Sequence, residues 1–187
     1  YDKPLGYLEE YLGIVRDLLQ GGKVDFEGKY YTARFEMSGG IDIPVHASAL
    51  RQRSFELCGR AADGAISWVC PIDYVRDVGM PALKKGAEDA GKPAPEMLVH
   101  VPVCVTDDEA TAQAALRASL GYFPYTPNYA AMFDLAGYPN SDRTGWTDDL
   151  ANAVMVWGNA ETVQRRLDEI FSWGASELVV TVLGGEG

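Results

Sequence analysis

The sequence has few of the residues from which metal and redox centres are built. It holds 3 cysteines and 2 histidines in 187 residues. Cys58, Cys70 and Cys104 are odd in number and scattered, and no Cys-x-x-Cys occurs. A disulfide framework and a structural zinc site are therefore not expected, and free thiols in a reducing compartment are. Basic residues are also scarce. Lys and Arg total 16 against 27 Asp and Glu, a net charge of −11. No basic block offsets that acidity, so a nucleic-acid backbone is not an expected partner. No run of about 18 apolar residues is present, so no membrane span is read. No charged leader precedes an apolar stretch, so no signal peptide is read and a cytoplasmic location is expected.

What remains is ordinary globular composition, with 47% hydrophobic and 23% charged residues. A chain of this length can bury a real core and reads as one domain, 1–187. It lacks an initiator Met and opens in apparent helix, so a cut or processed N-terminus is expected. Tyr7, Leu8, Tyr11, Leu12, Val15, Leu18 and Leu19 recur at helical spacing, and Gly21 and Gly22 stop the helix. Residues 24–31 read as a small hairpin around Gly28, and 32–42 as loop. From Ile43 an alternation begins. Ile43–Ala47 reads as a buried strand, 48–53 as a polar turn, and Ser54–Ala62 as helix. Ala65–Val69 is a second strand, followed by a helical region from Pro71 to Ala90, stopped at Gly91. Leu98–Val105 is a third strand. Thr106 and Glu109 have the spacing of a capping box that opens an Ala-rich helix to Leu120. An aromatic stretch follows over 122–138. Asp148–Val156 reads as helix, Asn159 caps another that ends at Gly174, and Leu178–Leu183 is a fourth strand.

Apolar strands alternating with helices predict an α/β fold with a parallel sheet. An open doubly wound sheet and part of a (β/α)8 barrel both fit. The count favours part of a barrel, since a complete one needs roughly 250 residues. Both chain ends then look cut, and a half barrel leaves sheet edges exposed. A cut parent or a partner, with a homo-oligomer expected, would cover them.

In such folds ligands bind at the C-terminal ends of the strands. The first such place is His46-Ala47-Ser48-Ala49-Leu50-Arg51. Small residues, amides at a helix start, a hydroxyl and an Arg suit a phosphate, and an ordinary strand-to-helix turn has the same look. At the second, Trp68 either walls a planar ring or packs the core. Cys70 reads as an idle thiol, since no partner His follows in a known pattern. The third, 104–109, reads as a strand end and helix cap. The fourth is the glycine-rich run 183–187, able to receive a phosphate but lying at the chain end. His46 reads as a satisfied core residue and His100 as structural. The stretch 122–138 either roofs a pocket or is plain packing surface.

Some of these segments, taken in order, carry a family pattern. They are Tyr7-Leu8-Glu9-Glu10-Tyr11, the Phe26-Glu27-Gly28 hairpin, Ile43-Pro44-Val45-His46 and Ala62-Asp63-Gly64. This order resembles the bacterial-luciferase-like flavin oxidoreductases, and within them the branch dependent on the deazaflavin coenzyme F420. The likeness is strong over residues 4–70 and looser beyond. It implies a (β/α)8 barrel of TIM type, of which this chain is the C-terminal half, roughly strands five to eight. It implies that the loop after strand five holds the cofactor phosphate, here Ala47, Ser48, Ala49 and Leu50 with Arg51 adjacent. It places Trp68, with Ser67, near the cofactor ring, and the hairpin beside the active site. The implied activity is hydride transfer between F420 and a small organic substrate. FMN-dependent monooxygenation is the alternative within the superfamily. A non-catalytic half-barrel that binds a partner or oligomerises is the alternative outside it. The family's N-terminal half carries much of the ring and substrate contact, so no catalytic residue is named.

Overall fold

In the computed structural model, which describes residues 3–93, 95–140 and 142–184, the second half of strand β5 (Glu96–Val105) is apolar on both faces and forms the spine of a parallel sheet. The other strands are β3 (His46–Ala49), β4 (Gly64–Ser67), β6 (Val156–Gly158) and β7 (Glu177–Val182). Leu98 and Val99 pair with both β4 and β7, and Val103 pairs with both β6 and β7. Thus β4 and β6 share one edge of β5, and β7 holds the other. The outer edges of β3 and β7 are unpaired among the described residues.

The sheet has two unlike faces, as strand alternation requires. Ala47, Ala49, Ala65, Met97, Val99 and Val101 lie on one face and join a core with Phe55, Cys58 and Leu83 of the helices. Ser48, Ile66 and Leu98 stand in register on the other face and stay partly or wholly exposed.

The helices are α1 (Pro4–Gly21), α2 (Gln52–Ala61), α3 (Ile72–Tyr74), α4 (Met80–Asp89), α5 (Glu109–Leu120), α6 (Pro127–Leu135), α7 (Asp148–Val154) and α8 (Ala160–Ser172). A π turn over Val75–Gly79 joins α3 to α4. Gly22 ends α1 in the left-handed conformation, with φ 72°. Helices α2 and α4 touch backbone to backbone. A Cβ on Gly59 would run into the Leu83 carbonyl, and one on Gly86 into the Glu56 carbonyl. That crossing fixes α2 against the sheet.

Several elements depart from the pattern of the sequence. The hairpin pairs β1 (Lys23–Glu27) with β2 (Thr32–Glu36), so its second strand lies in the stretch expected to be loop. Most of β2 is exposed, so no alternation marks it. The turn between the strands is held from outside. The Glu10 carboxylate accepts the amides of Lys29, Tyr30 and Tyr31 at 2.8, 2.8 and 2.9 Å. Strand β3 begins at His46, not Ile43, and includes Ser48 and Ala49, which were expected to turn. Pro44 has no amide to give a ladder, and Ile43 is exposed. The short strand β6 was not read, and its first residue, Val156, fell in an expected helix. That helix stops at Val154, where Met155 turns extended with φ −110° and ψ 160°. Helix α5 is capped by Asp108, which accepts the Thr111 amide at 3.0 Å. Thr106 instead accepts the Asp108 amide.

Asp63, between α2 and β4, ties the base of this arrangement together. Its carboxylate accepts the Val45 amide at 2.8 Å and pairs with Arg16 of α1 at 3.0 Å. Its own amide donates to the Val45 carbonyl, and its carbonyl accepts the Glu96 amide. Asp63→Ala strands the Val45 amide and frees Arg16, so it is expected to cost about 2 kcal/mol in urea unfolding. Asp63→Asn keeps the acceptor and loses only the charge of an ion pair whose side chains are 26% and 24% exposed, so its cost is expected to be smaller than that of Asp63→Ala.

Candidate functional site

The C-terminal end of β3 runs through Leu50 and Arg51 into α2 with no intervening loop. Ser54, in the first turn of α2, folds its hydroxyl back on this junction. It accepts the amides of Leu50 and Arg51 at 3.1 and 3.0 Å and donates to the Arg51 carbonyl at 2.6 Å. The next amide, of Gln52, faces the Tyr74 hydroxyl. Burial raises the ionisation of that hydroxyl above its ordinary value, so Tyr74 stays a neutral phenol.

A cavity of about 630 Å³ opens at this helix start. Its walls include Lys3, Arg51, Arg53, Ser54, Tyr74 and Leu135. Three cations line it and, among the described residues, no carboxylate does. Nor do Arg51 and Arg53 have a carboxylate partner elsewhere among the described residues. In a chain of net charge −11 this is a local reversal of sign. Unpaired cations, a hydroxyl and the positive end of a helix dipole together suit an anion.

The seven residues singled out from the sequence divide between this cavity and the two sheet faces. Arg51 lines the cavity, and Leu50 contributes backbone beside it. Ser48 is exposed on the open sheet face, and Trp68 is half-buried just past the end of β4. Ala47, Ala49 and Ser67 turn toward the helices. The Ser67 hydroxyl is buried there with no hydrogen-bond partner.

Of the cavity residues named above, only Arg51 was singled out from the sequence. Arg53 lies two positions beyond Arg51, so an Arg-x-Arg pair in a first helical turn was a readable signal. Lys3 and Tyr74 come from distant segments, and nothing local marks them.

Trp68 stacks on His100, ring centroids 3.8 Å apart and planes 18° from parallel. His100 is buried, 1% exposed. Its Nδ1 lies 3.2 Å from the Val69 amide and its Nε2 2.9 Å from the Thr181 hydroxyl. Burial lowers its pKa from 6.5 to about 4. His46 sits at the opposite, N-terminal end of β3, with Nε2 2.6 Å from Glu96. It is thus partnered, away from the ligand end.

Cys70 is buried, and burial pushes its thiol up to about 12. It stays a thiol and donates to the Trp68 carbonyl at 3.6 Å. The aromatic stretch is chiefly packing. Phe123, Met132 and Phe133 are buried, and rings run in contact from Tyr122 to Trp146. Only Leu135 reaches the cavity wall. Among the described residues no group of three His, Cys, Asp or Glu could hold a metal. No helix among the described residues is long and apolar enough to cross a membrane. Of the run 183–187, residues 185–187 lie outside the described residues.

Residues 1–177 match the protein family described as luciferase-like monooxygenase. The chain is 33% identical over 184 residues to an F420-dependent glucose-6-phosphate dehydrogenase of Mycolicibacterium fortuitum, covering 92% of this chain and 53% of that protein. It is 24% identical over 200 residues to the 5,10-methylenetetrahydromethanopterin reductase of Methanopyrus kandleri, covering 95% and 57%. The chain therefore spans about half the length of the curated relatives it matches. Among solved structures, an F420-dependent secondary alcohol dehydrogenase in complex with an F420-acetone adduct superposes with a TM-score of 0.75 at 19% identity, covering 95% of this chain and 56% of that one. An EDTA monooxygenase from Chelativorans sp. BNC1 superposes with a TM-score of 0.67 at 16% identity, covering 97% and 55%. At these identities the superpositions show a shared α/β fold.

The depressed His100 value has a consequence for stability. Between about 4 and 6.5 the unfolded chain binds a proton at this position and the folded chain does not. Stability therefore falls as pH drops through that window, by up to about 1.4 kcal/mol per pH unit from this group. His100→Asn is expected to flatten that part of a urea-derived stability profile. An unchanged slope would assign the titration to other groups.

Proposed function

The chain belongs to the luciferase-like monooxygenase family, and from that premise we propose that it is the phosphate-holding part of an F420-dependent oxidoreductase acting on a small organic substrate. One observation carries the reading: the cavity lined by Lys3, Arg51 and Arg53 at the C-terminal end of β3, with no carboxylate lining it among the described residues. A phosphorylated flavin-type cofactor needs such a cradle, and the residues present fit it. The deazaflavin is preferred to FMN because the glucose-6-phosphate dehydrogenase above is named F420-dependent, and the F420-dependent alcohol dehydrogenase superposes better than the monooxygenase.

In this reading β3, β4, β5 and β7 are strands five to eight of a (β/α)8 barrel. The unpaired edges of β3 and β7 then meet strands contributed by the other half of a longer chain. Arg51 and Arg53 hold the phosphate oxygens by charge, with the Tyr74 hydroxyl as a neutral donor beside them. Ala47 and Ala49, having no bulk, let α2 lie close to the sheet and so place its first turn. Leu50 contributes backbone at the same junction. Ser48 offers a hydroxyl on the open face between this cradle and the ring. Trp68 walls the ring, and Ser67 precedes it with its side chain turned to the helices. When bound, F420 supplies a ring that gives or takes a hydride. The protein's own task is to place that ring and shield it from water.

Fluorescence titration of the protein, in the longest form its gene encodes, is expected to show tighter binding of F420 than of FMN. Arg51→Ala and Ser48→Ala are expected to weaken F420 roughly 10- to 100-fold, the loss of a hydrogen bond to a charged group. Unchanged affinity in both variants would remove the assignment of the phosphate cradle. Tighter binding of FMN would favour the monooxygenase reading.

A further inference from the structure

We infer that His100 is a positioning residue, which holds the Trp68 ring flat on the open face of the sheet by fixing both the ring and the backbone next to it. That Trp68 then walls a cofactor ring rests on the function proposed above. The positioning does not.

The hydrogen bonds identify the imidazole's form. An amide can only donate, so the Nδ1 facing the Val69 amide at 3.2 Å is unprotonated. The ring hydrogen is then on Nε2, where it donates to the Thr181 hydroxyl at 2.9 Å. Among the described residues no charged neighbour contributes to the shift of this group, and burial alone accounts for it. One neutral imidazole thus bridges the end of β4, the middle of β5 and β7.

What it holds would not hold itself. Val69 has φ 51°, in the left-handed region that a β-branched residue avoids. Such a residue persists only where its surroundings over-determine it. Its side chain is fully buried, its amide is taken by His100, and the carbonyl before it is taken by the Cys70 thiol. The chain therefore turns sharply just after Trp68, and the indole lies against the imidazole that made the turn possible. A buried His serving only to fill space would need neither contact. A Leu would fill the same volume and leave the Val69 amide buried and unpaired.

Three variants separate the two nitrogens. In His100→Asn the amide oxygen falls near the position of Nδ1 and can still accept from Val69. In His100→Gln the polar end falls near Nε2 and serves Thr181 alone. His100→Leu serves neither. Amide hydrogen exchange at Val69 and the near-UV circular dichroism of Trp68, taken as a difference from Trp68→Phe, read the result without cofactor. Exchange at Val69 is expected to quicken roughly tenfold in His100→Gln and His100→Leu, with loss of the Trp68 signal. His100→Asn is expected to retain slow exchange at Val69 and to lose only the part of the Trp68 signal that depends on the stacked imidazole. Nitrogen NMR of the two imidazoles, assigned with His46→Ala, is expected to show His100 neutral with its hydrogen on Nε2 at pH 7. A hydrogen on Nδ1, or an unchanged Trp68 signal in folded His100→Gln, would overturn the inference. Should His100→Leu fail to fold, the Asn and Gln variants and the wild-type tautomer still decide it. F420 titration of the same variants is a separate arm. A lost Trp68 signal with unchanged F420 affinity would uphold the positioning and remove Trp68 from the cofactor wall.

Discussion

The Asp63 carboxylate accepts the Val45 amide on the approach to β3 and holds the Arg16 guanidinium of α1, while its backbone bonds to Val45 and to Glu96 at the start of β5. One residue thereby sets the starting level of two strands and the position of a helix. Arg16 adds a bond to the Ala61 carbonyl, and Lys92 one to the Ala62 carbonyl, so the end of α2 is tied to the same point. Register matters here because strand side chains alternate. A slip of one residue in β3 would send Ser48 to the helices and Ala47 to the open face. The cavity depends on the same anchor. Its walls combine Lys3 at the foot of α1 with Arg51 and Arg53 at the head of α2, and these meet only if both helices are placed from a common reference.

Small residues do the rest of the placing. Ala47, Ala49 and Ala65 present a low surface to α2, and the Cys58 thiol reaches the Ala47 carbonyl at 3.6 Å. On its other side α2 meets α4 through Gly59 and Gly86. A helix gripped this closely on two sides has little freedom to tilt, so its first turn is a rigid platform. That rigidity explains how cations can be gathered at one point on an acidic protein. Arg51 and Arg53 need no carboxylate to orient them, because the backbone that bears them is already fixed.

Much of this was legible in the sequence, and the gaps have identifiable causes. Long amphipathic segments such as α1 and α8 announce themselves by periodicity, and the Gly22 and Asn159 caps by residue type. The four main strands were found, with β3 displaced, because His-Ala-Ser-Ala lacks the bulk that marks a strand. Here the strand signal was overridden by packing, since bulk at Ala47 or Ala49 would push α2 away. β2 and β6 went unread because one is mostly exposed and the other has three residues. Arg51 was found from its place after a strand. Tyr74 was not, because its nearness to α2 is a product of tertiary folding alone. His100 was read as structural, and its burial agrees with that, but nothing in a strand sequence shows that its neighbour Val69, thirty-one residues earlier, bends into the left-handed region to meet it.

The cradle proposed here also differs in kind from a glycine-rich phosphate loop. Glycines let the backbone approach an anion so that amides carry the contact. Between 47 and 54 this chain has no glycine, and Ser54 already occupies the amides of Leu50 and Arg51. Those two donors are removed from the helix start before any ligand arrives. What is left to draw an anion is chiefly side-chain charge, from Arg51, Arg53 and Lys3. Long cationic side chains reach further than amides and tolerate more variation in ligand position, but their attraction is screened by salt. In the proposed reading, recognition at this end of the site is electrostatic and permissive. In the same reading, geometric selectivity comes from the other end, where Trp68 lies between its stacked imidazole and a strained turn.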